Sequence, residues 1–364
     1  MNAPVREARI STAAITHNTE LLRARVPTRH AMAVVKADGY GHGAVVAARA
    51  ALEGGADHLG VADLDEAFEL RAAGIDAPVL AWLHGSTLNC DAAAEAGIAL
   101  GISSLDQLQQ AASSGHRVTV HVKVDTGLSR NGVAEADWGQ LVERLALAVR
   151  NGSVRLEGVF SHLSNTAADD DRAQITSFER FLDALRSVGL DPGIRHIAAS
   201  AAALDHPAAL YDMVRFGIAL YGIAPESHWR NALPLRPAMR LSAEVVGVKR
   251  VPAGSGVSYG YLHRTTAPTT LALIPLGYAD GVPRATRGAS VRIGDELLPV
   301  IGRIAMDQFI VDAGDARVAV GDSAVLWGDP AQGDPSVDYW ADAAGTISYE
   351  LVTRLGRRVQ RTVQ

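Results

Sequence analysis

The chain has 364 residues, 48% of them hydrophobic, and a formal charge of −6 at pH 7. That is enough chain for a large domain plus a smaller one, and the acidic balance without any basic block excludes nucleic acid or an anionic membrane surface as main partner. No apolar run reaches membrane-spanning length, the opening MNAPVREARI lacks the apolar core of a signal peptide, and the single Cys90 permits neither an intrachain disulfide nor a cysteine-rich metal site, so a cytoplasmic protein is expected.

From about residue 30 to 222 a short apolar run, a polar turn and a helical stretch recur in that order. The runs are AMAVVK (31–36), HLGVAD (58–63), APVLAW (77–82), IALGIS (98–103), VTVHVKVD (118–125), VRLEGVFSH (154–162), IRHIAAS (194–200) and MVRFGIALYG (213–222). Segments with helical spacing, such as DEAFELRAAG and ADWGQLVERLALAVR, fill most of the gaps. Strand–helix alternation predicts a parallel sheet, and eight units predict an α/β fold of the (β/α)8 TIM type, slightly compact. A doubly wound sheet is the competing arrangement. After LPLRPAMR (233–240) short alternating strands appear: SAEVVGVKRV, TLALIPLG, ASVRIG, LLPVIG and AVLWGD, separated by Gly, Pro and Asp turns. They predict a mainly β C-terminal domain, with a helical tail over DYWADAAGT and SYELVTRLGRRV. The expected division is 1–235 and 236–364, the first ten or so residues packing with the second domain.

The stretch VVKADGYGHGA (34–44) carries two readings. Gly39, Gly41 and Ala44 fit a dinucleotide-binding G-x-G-x-x-A after a strand, with Asp57 about 20 residues on. A dinucleotide fold has no need of Lys36 before those glycines. The chain has only three lysines, Lys36, Lys123 and Lys249, against 31 arginines. Where arginine serves for most positive charge, a retained lysine points to imine formation or a change of protonation state; Lys249, in VVGVKRV, reads as a chance survivor. Barrel sites lie at the C-terminal ends of strands. There stand Lys36 and Tyr40 after the first run, Lys123, Asp125 and Arg130 around the fifth, His162 and Asn165 after the sixth, Ser200 after the seventh, and Arg215, Gly217 and Ile218 on the eighth. The late strands suit an anion site of backbone N–H groups and a serine hydroxyl, and Ser200 also reads as a helix N-cap. Phosphate plus a lone lysine points to pyridoxal 5′-phosphate (PLP). No H-E-x-x-H or similar ligand spacing occurs among the 12 histidines, so no metal is expected.

Seven motifs stand in one order: KADGYGHG (36–43), KVDTGLSRNG (123–132), DMVRFGIALYG (212–222), VSYG (257–260), GYADG (277–281), GRIAMDQ (302–308) and SYE (348–350). Together the set resembles that of the alanine racemases, from near one end of the chain to near the other. The resemblance implies a barrel plus a β domain, PLP as cofactor, interconversion of L- and D-alanine that supplies D-alanine to peptidoglycan, and a homodimer with shared active sites. Residue by residue, it implies that Lys36 bonds PLP as an imine and acts as one base. Tyr259, from the other subunit, is the second base on the opposite face. His162 and Arg215 support that tyrosine, and Arg215 faces the pyridine nitrogen. Tyr40, Ser200, Gly217, Ile218 and Tyr349 match the phosphate cradle. Arg130 matches the residue near the cofactor's phenolic oxygen and the substrate carboxylate, and Met306 a backbone donor to that carboxylate. Tyr278 and Asp307 match the channel mouth, and Lys123 a lysine that carries a carbamate in many members. Leu128, Ser129 and Asn131 occupy positions that vary in the family, and Ala305 stands where cysteine is frequent. A broader racemase, a basic-amino-acid decarboxylase of the same architecture and a non-catalytic PLP-binding barrel are the alternatives. Arg215 speaks against the decarboxylase, and the β domain of about 125 residues against the binding protein.

Overall fold

A computed structural model describes residues 4–230 and 232–364. Eight parallel strands follow the apolar runs: β2 (His30–Val34), β3 (His58–Val61), β4 (Val79–Ala81), β5 (Ile98–Ile102), β6 (Val118–Lys123), β7 (Val154–Phe160), β8 (Ile194–His196) and β9 (Met213–Phe216). Their spatial order is β8-β7-β6-β5-β4-β3-β2-β9. The ends meet: Arg215 N donates to Ala198 O at 3.0 Å and Asp212 N to Arg195 O at 3.1 Å, so the sheet closes into a barrel. Closure excludes the doubly wound alternative, which would leave two open edges.

The barrel interior is filled by side chains from several strands. Trp82, following β4, occupies space left by two glycines on flanking strands. A Cβ at Gly60 would lie 2.6 Å from the Trp82 ring, and one at Gly101 2.8 Å from the Trp82 Cβ. Met32, Leu80, Ala99, Phe160 and Met213 complete this inner cluster. Outside, helices such as Ala44–Glu53, Trp138–Arg150 and Ala168–Ser187 bury one face each against the strands. Alanine dominates Ala44–Glu53, which favours helix and permits close approach to the sheet.

The second layer is a nine-stranded sheet in the order Gly247–Val251, Thr269–Ile274, Phe309–Gly314, Glu296–Ile301, Ser290–Ile293, Ser323–Trp327, Met239–Glu244, β1 (Arg6–Ile10), Gln360–Val363. The N-terminal strand β1 therefore lies in this sheet, antiparallel to Met239–Glu244 and parallel to the last strand. Trp327, at the end of strand Ser323–Trp327, and Trp340, on helix Val337–Ala344, are both fully buried with ring centroids 6.2 Å apart.

Several boundaries differ from expectation. The eighth run ends as strand at Phe216, and Ile218–Tyr221 is a 3-10 turn, because Gly217 breaks the extended backbone with φ −118° and ψ −101°. SAEVVGVKRV is two strands separated at 245–246. The helical tail stops at Thr353, and the chain leaves it as the edge strand Gln360–Val363. Phe309–Gly314 is a strand the turn signals do not mark.

Candidate active site

Strand β2 delivers Lys36 to the C-terminal mouth of the barrel, and the turn after it is left-handed. Ala37, Asp38, Gly39 and Tyr40 have φ of 53°, 53°, 60° and 54°. Three of these are not glycine, and each such residue costs ~1–2 kcal/mol in that region. Local bonds hold the turn: Gly39 N donates to Val35 O at 2.8 Å, Ala44 N to Asp38 Oδ1 at 2.9 Å, and Ala37 N to Glu66 Oε1 at 2.7 Å. Gly41 is needed for another reason, since a Cβ there would lie 2.1 Å from Val352 O. The turn carries the buried Tyr40 side chain inward. Its hydroxyl would lie 2.6 Å from a Cβ on Gly217, so only glycine lets the phenol reach this backbone.

Arg215, on β9, is buried and makes five hydrogen bonds. Nη1 donates to His196 Nδ1 and O at 3.0 and 3.1 Å. Nη2 donates to Ser161 O, His162 Nδ1 and Ile197 O at 2.8, 3.0 and 3.0 Å. Among the described residues Nε takes no part. Burial lowers the guanidinium pKa to about 10. His162 is pushed down to about 3 by burial first and by Arg215 next, so it is a neutral imidazole that accepts at Nδ1 and keeps its proton on Nε2.

Lys36, Lys123, Arg130 and Arg215 converge on one cavity of about 590 Å³. Tyr40, His162, Ser200, Gly217, Ile218 and Tyr349 also line it. Four cationic side chains at one mouth favour anionic ligands. Crowding also weakens the lysines' hold on protons. Burial, then Arg130, lowers the Lys36 pKa, while Glu66 opposes. Lys123, packed 5.6 Å above the Phe160 ring, falls to about 8 through burial and the Arg215 charge. Ser200 begins the helix Ser200–Asp205 rather than capping it; Ala199 holds the cap position. The hydroxyl instead accepts from Gly217 N at 3.0 Å, tying two strand ends together. Burial raises the Tyr349 pKa to about 12 and the Tyr40 pKa further, so both stay phenolic donors.

Four site candidates lie elsewhere on the same chain. Tyr259 is 73% exposed and Met306 53% exposed on the β domain. Three loops converge around them: Ser258 Oγ donates to Arg303 O at 2.7 Å, and Tyr278 N donates to Ala305 O at 3.1 Å. Asp307 accepts from Arg358 Nη1 at 2.8 Å. Tyr259, Tyr278, Met306 and Asp307 thus form a surface cluster apart from the cavity lining.

Three groups escape sequence reading. His196 is a direct partner of Arg215, and its only signal is a polar residue inside the apolar run IRHIAAS. Trp82 forms part of the cavity wall. His30, Asp57 and His58 meet at the starts of β2 and β3, where Asp57 accepts from both imidazoles at 2.7 and 3.0 Å. That position, at the barrel end opposite Lys36, removes Asp57 from any role beside the glycine-rich turn.

The geometry defines a barrel enzyme whose acid–base and anion-binding groups are gathered at the C-terminal mouth. Family profiles described as "Alanine racemase, N-terminal domain" and "Alanine racemase, C-terminal domain" match residues 10–225 and 238–363. The alanine racemase of Thermobifida fusca (strain YX) is 50% identical over 363 residues, 98% of this chain and 97% of the relative. That of Salinispora arenicola (strain CNS-205) is 47% identical, covering 98% and 97%. The crystal structure of alanine racemase from D-cycloserine-producing Streptomyces lavendulae superposes with a TM-score of 0.97 at 42% identity, covering 100% of this chain and 98% of that one. The chain belongs to the alanine racemase family. No helix among the described residues is long and apolar enough to cross a membrane.

Proposed function

We propose that this protein interconverts L- and D-alanine with PLP. The observation that carries the reading is Lys36: a half-buried amine of lowered pKa, lining the cavity with Tyr40, Ser200 and Tyr349, in a chain that matches both family domains. The residues suit the cofactor. Tyr40 and Tyr349 phenols, the Ser200 hydroxyl and the backbone at Gly217 and Ile218 would hold its phosphate, a task for which the gap at Gly217 leaves Tyr40 room. Lys36 would bond it covalently, and Arg215 would face its ring nitrogen. When bound, PLP supplies an electron sink that acidifies the α-carbon of an attached amino acid.

The chain's own groups then handle one proton from two sides. A free Lys36 amine takes or returns the α-proton on one face; its lowered pKa increases the neutral fraction near pH 7. Tyr259 of a second copy serves the opposite face, because its own chain leaves it exposed and outside the cavity. His162 accepts from Arg215 at Nδ1, so its Nε2–H remains a donor that lowers the cost of a phenolate. Arg130 would bind the substrate carboxylate, with the Met306 backbone of the second copy. Lys123, its pKa lowered to about 8 and its neighbours Arg215 and Arg130 cationic, has a larger neutral fraction than an ordinary lysine and is suited to carry a carbamate whose negative charge braces Arg130. Tyr278 and Asp307 of the second copy would frame the entrance. The active form is accordingly a homodimer with shared sites, each chain dividing into a barrel domain (1–235) and a β domain (236–364), and its D-alanine would feed peptidoglycan synthesis in the cytoplasm.

The test is to incubate L-alanine with protein and PLP in D2O, following the α-proton by NMR and chirality by separation. Washout with approach to equal enantiomers is expected. Retention of the α-proton and of L-alanine, while borohydride still traps PLP on Lys36, would sink alanine as substrate.

A further inference from the structure

Arg215 is a buried cation whose five bonds all go to uncharged acceptors. A buried charge of this kind is normally matched by an opposite one. Followed outward from His196, the bonds reach such a charge. His196 Nε2 lies 2.9 Å from His121 Nδ1, and His121 Nε2 lies 3.3 Å from Glu157 Oε2. Guanidinium has no acceptor, so Arg215 must donate to His196 Nδ1. His196 therefore carries its proton on Nε2 and donates to His121 Nδ1. His121 in turn carries its proton on Nε2, toward the Glu157 carboxylate. Every bond points the same way, from the cavity to the far side of the barrel. No proton can travel the chain unless Arg215 gives one up, so the link is electrostatic rather than conducting.

The fold is shaped around this line. Between β6 and β7 the register shifts: Val120 pairs with Leu156 and His121 with Gly158, which leaves Glu157 as an extra, bulged residue. Bulges re-aim side chains in this manner. A Cβ on Gly158 would lie 2.5 Å from His121 Nδ1, so glycine makes the space. His196 is stacked on Phe160 with centroids 4.9 Å apart and planes 1° from parallel. Both imidazoles are buried and are held neutral by burial. The other charged and titratable groups facing the outer end are Arg155, paired with the second Glu157 oxygen, and His58.

We propose that Glu157 is the remote counter-ion of Arg215 and positions it through His121 and His196. The proposal rests on the PLP racemase reading above, in which Arg215 faces the cofactor. Its test uses the full-length holoprotein labelled with 15N-histidine, as wild type, Glu157→Gln and Glu157→Leu. In the wild type both His121 and His196 should show neutral rings protonated on Nε2. Glu157→Gln keeps an acceptor and loses the charge: the His196 ring resonances should shift, and kcat should fall about threefold to tenfold with KM within about twofold. Glu157→Leu should break the His121 link and lower kcat further. Unchanged His196 resonances in Glu157→Gln overturn the relay, and shifted resonances with unchanged kcat overturn its positioning role. If Glu157→Leu does not fold, the near-isosteric Gln variant decides. A wild type that leaves alanine unracemised sinks the function proposed above, and the His196 resonances still decide the relay.

Discussion

At the scale of single residues, histidines that burial holds neutral set how the protein meets acid. Burial lowers His42 to about 4 and His162 to about 3 from an ordinary 6.5, and lowers His121 and His196 as well. In the unfolded chain each would bind a proton near 6.5, whereas the folded chain leaves them neutral until much lower pH. Between those values the unfolded state holds more protons, so stability falls as pH drops. Carboxylates with depressed pKa, such as Glu157 and Asp212, lose their contribution only as pH approaches about 4. The decline between about pH 6 and 5 therefore belongs to histidine. Urea unfolding at fixed protein concentration should show a falling midpoint with a constant slope over that interval. His162→Asn should flatten the decline, and an equally steep decline in that variant would count against a neutral His162. Such a role was only half legible in the sequence. His162 stands at a strand end, where function is expected, but His121 and His196 sit within apolar runs. Their meaning depends on the bulge at Glu157, which alternation alone does not reveal.

At the scale of elements, the strands of the barrel were legible because buried parallel strands read as short apolar runs with polar residues at one end. The second sheet was less so. Two neighbouring strands near one edge, REARI and QRTV, are polar and come from opposite ends of the sequence, and it is pairing with distant segments, REARI with both Met239–Glu244 and QRTV, that makes them strands. Least legible was the turn of 37–40. Alanine and tyrosine have no preference for left-handed backbone, and aspartate and glycine tolerate it without requiring it, so four left-handed residues in succession are imposed by the bonds that involve Val35, Glu66 and Asp38. What that turn achieves is the approach of Tyr40 to Gly217. Gly217→Ala would put a methyl 2.6 Å from the Tyr40 hydroxyl and push the phenol away from the anion cradle. PLP affinity, titrated by absorbance into the apoprotein, should fall about tenfold or more. Gly139→Ala, where a Cβ meets nothing within 4 Å, should bind PLP as the wild type does. Equal affinity in both variants would remove Tyr40 from the cradle.

At the scale of the whole molecule, one chain carries two groups of candidate site residues that stand apart from each other. Lys36, Arg215 and the anion cradle line the barrel cavity, while Tyr259 and Met306 stand exposed on the β domain. The exposed cluster is also apolar, with Tyr261 at 59% and Leu262 at 56% exposure beside Tyr259, a surface that favours burial against another chain. In a twofold dimer each cavity would take its tyrosine from the other subunit. Lys36→Ala and Tyr259→Phe should then each be inactive alone, by at least about a hundredfold. Co-expressed, they assort into dimers of which about half carry one copy of each variant. Every such mixed dimer has one site bearing both substitutions and one bearing neither. Activity should therefore return to about a quarter of wild type per chain, the value random assortment gives for intact shared sites. A site built within one chain allows no such rescue, because each chain would still lack one base. Measuring alanine racemisation by the co-expressed pair, with separately purified variants as controls, separates the two architectures by the presence or absence of that returned quarter.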